Sequence, residues 1–130
     1  MSKIPDRLDS IVSRQPVPTL TWRFFFGWLC RQYQRRCVIG DSMLPTLSHQ
    51  SNVLVDTRAF TIQQLQANDI ICFAHPHQPT LTLIKRIQSI HNTSQEYTVI
   101  GDNPDHSTDS RHFGALKKSS IIGRVVCHFV

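Results

Sequence analysis

The chain has 130 residues, of which 40% are hydrophobic, and a net charge of +5. This length suffices for one domain with a packed core and is too short for two. The basic residues are dispersed apart from Arg31, Arg35 and Arg36, and they form no stripe interleaved with aromatic residues. The composition therefore argues against a dedicated nucleic-acid-binding protein.

Residues 1–36 are assigned to an N-terminal arm that ends in an aromatic and basic segment. Its first 20 residues have the composition of a weakly ordered stretch, with Pro5, Pro16 and Pro18 among mixed charges, and no cleavable signal peptide is expected. Arg23 interrupts the aromatic run in this arm, so a helix that spans a membrane is not predicted. Two interpretations stay open for the run. It packs on the domain core, or it makes peripheral contact with a membrane through Trp22, Phe24, Phe25, Phe26 and Trp28.

From Cys37 onward the pattern becomes that of short β-strands separated by turn residues. A helical turn is predicted within residues 61–68. The fold class is therefore mostly β, a compact barrel or sandwich over residues 37–130 that follows a short helical or aromatic segment. The predicted strands are 52–56, 69–74, 81–90, 96–100 and 121–129.

Cysteine and histidine give no sign of a metal or cofactor site. The four cysteines form no C-x-x-C pair, and without a signal peptide free thiols are expected at Cys30, Cys37, Cys72 and Cys127. The sequence His75-Pro76-His77 lies in a stretch rich in proline and glutamine, which indicates an exposed loop. We therefore expect no cofactor and no metal.

The candidate nucleophile is Ser42, since Gly40 permits a sharp turn before it and Pro45 fixes the backbone direction after it. Met43 and Leu44 are apolar neighbours that could face a bound chain. The full run is Gly40-Asp41-Ser42-Met43-Leu44-Pro45-Thr46-Leu47.

The candidate base is Lys85, which shares one face of an alternating strand with Leu81, Leu83 and Ile87. Lysine is rarely buried, and an apolar setting lowers its pKa because it disfavours the charged form. A neutral lysine amine can take the proton of a serine hydroxyl. The alternative is that the lysine stem packs on the sheet while the ammonium reaches solvent. Strict alternation directs Arg86 to the opposite face.

The third feature is a polar loop over residues 101–114, bounded by glycines and dense in hydroxyls and carboxylates. Within it Asp109 and Arg111 could pair, and Ser107 could point at a nearby amine. A plain solvated loop is the competing interpretation for any fragment of it.

These segments together resemble the type I signal peptidase family, the serine–lysine endopeptidases. The run around Ser42 is similar to the family's nucleophile box, Lys85-Arg86-Ile87 to its base box, and residues 101–114 to its C-terminal box. Residues 68–73 are similar to the strand usually written Gly-Asp-Ile-Val-x-Phe. The likeness covers about residues 37–127, and four boxes in the right order are very specific.

The resemblance implies that Ser42 is the nucleophile and Lys85 the general base, with Ser107 orienting the lysine amine. It implies that Asp109 and Arg111 form a supporting ion pair. The Ser42 N–H would be one oxyanion donor. Several members supply a second donor from a serine two residues before the nucleophile. Here Gly40 holds that position and Asp41 follows it, so a second donor must come from the backbone or be absent.

Departures from the family point to a branch. No convincing membrane span precedes Ser42, and the usual β insertion after the base box is missing. A short core of this kind is similar to the proteases that mature nickel-type superoxide dismutase by removing an N-terminal extension. That implies a cytoplasmic endopeptidase whose partner is an extended precursor polypeptide.

Three other functions stay open. The first is a membrane-associated signal peptidase of exported proteins, which the aromatic residues 22–29 favour. The second is a self-cleaving regulator of the SOS type, although no Ala-Gly or Cys-Gly bond precedes Ser42. The third is an inactive module that binds extended peptides by strand addition.

Overall fold

The computed structural model describes residues 33–58 and 65–129. Their strands form one antiparallel sheet of seven, in the order β1-β2-β7-β3-β4-β5-β6. This architecture confirms the mostly-β class predicted from the sequence. The strands are β1 (Tyr33–Cys37), β2 (Asn52–Asp56), β3 (Ile70–His75), β4 (Gln78–His91), β5 (Glu96–Ile100), β6 (Leu116–Lys117) and β7 (Ile121–Phe129).

The sheet carries a hydrophobic core on each face, because successive strand residues point to opposite sides. Ile70 and Cys72 of β3 belong to one cluster, while Ile71 and Phe73 belong to the other. A strand that is buried on both faces has a continuous apolar sequence, and residues 70–73 have such a sequence. The first core includes the Ser42 turn, and the second supports residues 101–114.

Strand β4 is much longer than its neighbour β5. It pairs with β3 between Gln78 and Arg86, whereas its pairing with β5 begins only at Arg86. Within the described part of the chain, the edge of residues 78–85 that faces away from β3 has no strand partner. An unpaired edge offers free backbone N–H and C=O groups to an added strand.

The predicted strands are found with small shifts of their ends. Strand β1 begins at Tyr33, inside the segment assigned to the N-terminal arm, and pairs with β2. Four short elements were not predicted within the polar loop and just after it, because they lack the length for a periodic signal. They are the 3-10 helices Pro104–His106 and Lys118–Ser120, the one-turn helix α1 (Ser110–Phe113) and the strand β6.

Several predictions fall on residues outside the described ranges. The aromatic residues 22–29, Cys30 and most of the predicted helical turn are among them. In the described ranges Cys37, Cys72 and Cys127 have free thiols. No helix in those ranges has the length and apolar content needed to span a membrane.

Candidate active site

Ser42 lies on a turn that follows β1 and is held from below by the first core. Gly40 has a φ of +88°, a conformation that residues with a side chain rarely adopt, so glycine is needed there. Met43 and Leu47 are each 1% exposed and pack in the core. The prediction that Met43 faces a bound chain is therefore wrong, because its side chain anchors the turn. Ser42 itself is partly exposed.

The backbone N–H of Gly40 is already in use. It donates to Nδ1 of His49 at 2.7 Å, and this hydrogen bond connects the start of the turn to the residues that follow it. This hydrogen bond leaves the Gly40 amide unavailable to an oxyanion. The exposed Asp41 accepts a hydrogen bond through its carbonyl oxygen from Nδ2 of Asn103 at 3.1 Å. Neighbouring segments thus fix the backbone on both sides of Ser42.

Lys85 is buried in the middle of β4, with only 4% of its surface exposed. In the described ranges its ammonium has no hydrogen bond and no ion pair, which is rare for a buried lysine. Burial lowers the pKa of Lys85 from 10.5 to about 8, the Asp109 carboxylate opposes this shift, and Arg111 adds to it. The sequence-based expectation of a lysine with a depressed pKa agrees with this environment.

Gly101 is the point where the candidate catalytic segments meet. The β4–β5 register pairs Arg86 with Ile100, and its continuation places Gly101 opposite Lys85. A Cβ atom on Gly101 would lie 2.7 Å from the Ser42 carbonyl oxygen and would overlap the Ser107 hydroxyl. The same Ser42 carbonyl oxygen accepts a hydrogen bond from the Asn103 N–H at 2.8 Å. Ser42, Lys85 and Ser107 therefore converge on one glycine.

Asp109 is fully buried and organises the polar loop. Arg111 donates through Nε to Oδ1 at 2.9 Å and through a terminal nitrogen to Oδ2 at 3.1 Å. Oδ2 also accepts from the Ser107 hydroxyl at 2.8 Å and from the Gly101 N–H at 3.0 Å. Burial by itself would raise the pKa of Asp109, but these hydrogen bonds lower it, so the carboxylate is charged.

The Asp109–Arg111 pair expected from the resemblance is therefore present in the structure. The Ser107 hydroxyl, expected to contact the lysine amine, instead donates to Asp109. This bond leaves the lone pairs of Ser107 Oγ free to accept from an amine. Asp109 also caps helix α1 by accepting from the Arg111 backbone N–H at 3.2 Å, which fixes the end of the loop.

A second ion pair, buried on both sides, was not predicted from the sequence. Arg86 donates through Nε and a terminal nitrogen to the two oxygens of Asp102, at 2.8 and 2.7 Å. Both side chains are 1% exposed, and Arg86 also donates to the Asn68 carbonyl at 2.8 Å. The sequence feature that could have indicated this pair is the placement of Lys85 and Arg86 on opposite faces of an otherwise apolar strand. The direction of Arg86, opposite to Lys85, follows the predicted alternation.

The model of the family described as "Signal peptidase, peptidase S26" matches residues 19–91 and 88–130. The chain belongs to the peptidase S26 family. Among curated proteins it is similar to "Mitochondrial inner membrane protease subunit 1" of Xenopus tropicalis. The two are 27% identical over 104 residues, covering 66% of this chain and 62% of the relative.

A second relative of this S26 chain is "Mitochondrial ATP-independent inner membrane protease subunit 1b" of Arabidopsis thaliana. The identity is 29% over 108 residues, covering 67% of this chain and 64% of the relative. The chain thus spans a little under two thirds of the length of these curated relatives. Both names identify the relatives as protease subunits of an inner membrane.

The S26 chain has no grouping of three or more potential metal ligands in its described ranges. The His75 and His77 rings lie 5.9 Å apart, and His75 also packs against Phe113 at 4.8 Å. The Phe113 contact ties the β3–β4 turn to helix α1. His75 thus has a packing partner in the second core.

Gly101→Ala tests the close approach on which the S26 site depends. The added methyl group would overlap Ser107 and the Ser42 carbonyl, so we expect a loss of about 1–3 kcal/mol in the free energy of unfolding. Gly101 is not among the glycines with a positive φ, so this loss would come from crowding and not from backbone strain. Urea denaturation measures it against the wild type. A loss below about 0.5 kcal/mol would contradict the tight contact.

Proposed function

We propose that this S26 chain is a serine endopeptidase in which Ser42 is the nucleophile and Lys85 the general base. The observation that carries the proposal is the environment of Lys85. This lysine is buried and has no ion pair among the described residues, and it lies opposite Gly101, which contacts both Ser42 and Ser107. A structural lysine would be expected to reach solvent or a carboxylate.

A lowered pKa gives Lys85 the protonation state that a base needs. With a pKa of about 8, roughly one molecule in ten carries a neutral amine at pH 7. At the unperturbed value the fraction would be about one in 3,000. The neutral amine takes the Ser42 proton as Oγ attacks the scissile carbonyl, and the ammonium then protonates the leaving amine. Water hydrolyses the resulting ester with the same lysine as base.

The backbone N–H of Ser42 is the candidate donor to the oxyanion that forms in this attack. The Gly40 N–H is excluded from that role because His49 accepts it. The Asp41 carbonyl, in the same peptide group as the Ser42 N–H, accepts a hydrogen bond from Nδ2 of Asn103 at 3.1 Å. This hydrogen bond holds the Asp41–Ser42 peptide in one orientation, so that the oxyanion donor does not need to reorganise during the reaction.

The free edge of β4 gives the substrate a place to bind. Residues 78–85 have no strand partner among the described residues on the side away from β3, and they lead directly to Lys85. Leu81 is 43% exposed on this strand, so apolar surface lies beside the edge. An extended polypeptide that adds as a strand would bring one of its carbonyls to the dyad. This arrangement favours a precursor polypeptide as partner.

Activity should depend on pH through Lys85. Because its neutral form is the base, we expect kcat/KM to rise about tenfold per pH unit below a pKa of about 8 and to level off above it. The measurement is peptide cleavage between pH 6 and 10 with chemistry rate-limiting. A flat profile over that range would show that another group is the base.

For the substrate class we propose removal of an N-terminal extension from a precursor at a membrane. The support is the two relatives, whose names place them in an inner membrane as protease subunits. These comparisons favour membrane-associated processing over maturation of nickel-type superoxide dismutase, which remains the second candidate. That candidate rests on the compact core and on the form of residues 101–114.

Mass spectrometry of co-expressed precursors separates the two candidates. One precursor carries the extension of a nickel-type superoxide dismutase, and the other carries a signal peptide for export. We expect the second to be cut, at one bond and only with intact Ser42. Cleavage of the dismutase precursor alone would reverse the order of the candidates.

Flotation tests the location of the full chain. If membrane association is correct, the chain floats with lipid vesicles, and a variant lacking residues 1–30 stays at the bottom of the gradient. Recovery of both forms in the lipid-free fraction would favour a cytoplasmic enzyme.

A further inference from the structure

The hydroxyl of Thr46 joins the nucleophile turn to the buried ion pair. Thr46 Oγ1 donates to Oδ2 of Asp102 at 2.5 Å, and Oδ2 also accepts from Arg86. A hydroxyl bond to a charged, buried carboxylate is short and roughly twice as strong as a neutral one. Since Asp102 is 3% exposed, water does not compete for this bond.

The position of this bond relates it to the dyad. Thr46 lies four residues after Ser42 on the same turn, and Arg86 is the residue next to Lys85 on β4. Asp102 follows Gly101, which contacts Ser42. One carboxylate therefore receives hydrogen bonds from the segment that carries the nucleophile and from the strand that carries the base.

The ion pair does not need Thr46 for its own integrity. Without the hydroxyl, Arg86 still holds both oxygens of Asp102 and the Asn68 carbonyl. Met43 and Leu47 still anchor the turn in the first core. What the hydroxyl adds is a fixed distance between the turn and β4 on the face opposite to Lys85.

We propose that Thr46 is a positioning residue that sets the placement of Ser42 relative to Lys85 through Asp102 and Arg86. This inference rests on the proposed serine–lysine function. A small displacement of a reacting group lowers the rate steeply, whereas substrate affinity depends on other contacts. Loss of the hydroxyl should therefore lower kcat and leave KM nearly unchanged.

The experiment compares Thr46→Val with Thr46→Ser on a fluorogenic peptide that has alanine at the first and third positions before the scissile bond. We expect Thr46→Val to lower kcat about tenfold or more with KM within about twofold. Thr46→Ser should recover most of the loss because it restores the donor. Thr46→Ala removes the same hydroxyl in a smaller side chain and replaces the valine variant if that variant does not fold.

Thr98→Val is the matched control. The Thr98 hydroxyl contacts the exposed His91 at 3.1 Å on β5, away from the dyad, so its kcat should equal that of the wild type. An unchanged kcat in Thr46→Val, or a loss that Thr46→Ser does not recover, would overturn the inference. Ser42→Ala tests the proposed serine–lysine function separately from the role of Thr46. If it cleaves the peptide at the wild-type rate, the proposed function itself fails.

Discussion

Replacing Lys85 by methionine should abolish peptide cleavage while leaving the fold intact. The change removes the base but keeps an unbranched side chain of similar volume in the apolar setting of β4. We expect kcat/KM to fall by at least about 10³-fold, the upper range for loss of general base catalysis. Ser42→Ala should fall equally far, and the double variant no further, because nucleophile and base act as one unit.

Stability distinguishes this loss of activity from unfolding. A pKa lowered from 10.5 to about 8 means that burial penalises the charged lysine, by up to about 3 kcal/mol at pH 7. The penalty is fully present below pH 8 and disappears as the pH rises from 8 to 10.5. Lys85→Met should therefore melt at or above the wild-type temperature at pH 7. A lower melting temperature would show that the ammonium stabilises the fold.

Removing one partner of the buried Arg86–Asp102 pair should produce the largest loss of stability. Arg86→Met leaves the carboxyl group of Asp102, which is 3% exposed, without its two hydrogen bonds from the guanidinium. We expect the free energy of unfolding to fall by about 3–5 kcal/mol, a large fraction of the stability of a small domain. Urea denaturation followed by circular dichroism measures it.

Two further variants test the cause of that loss. Arg35→Met removes an arginine from the exposed edge of β1, where its contact with Asn52 is 3.5 Å long, and should cost less than about 1 kcal/mol. The double variant Arg86→Met with Asp102→Leu removes both charges and should recover part of the stability. A double variant as unstable as the sum of the single ones would argue against an orphaned charge.

The sequence predicted the structure correctly where a single physical rule determines the position of a side chain. Alternation along β4 predicts that Lys85 and Arg86 lie on opposite faces, and the structure agrees. The loop chemistry of residues 101–114 predicts the Asp109–Arg111 pair. Met43 was misassigned because an apolar residue beside an exposed serine can face either a ligand or the core. Only the tertiary structure shows which surface it meets.

Contacts between residues far apart in the sequence could not be predicted from the sequence. Thr46 and Asp102 are 56 positions apart, and no local pattern relates a threonine after a proline to an aspartate after a glycine. The bond from Gly40 to His49 was likewise hidden, because seven histidines offered no local reason to select one. Contacts of this kind depend on the order of strands in the sheet, which turn residues and periodicity leave open.

The place of β7 in the sheet has a consequence for the timing of activity. It comes last among the described strands, yet it pairs with β2 on one side and β3 on the other. It therefore joins the half that carries Ser42 to the half that carries Lys85. While the ribosome still holds residues 121–129, the two halves have no shared strand. We therefore expect the proposed serine–lysine site to assemble only after residues 121–129 have left the ribosome.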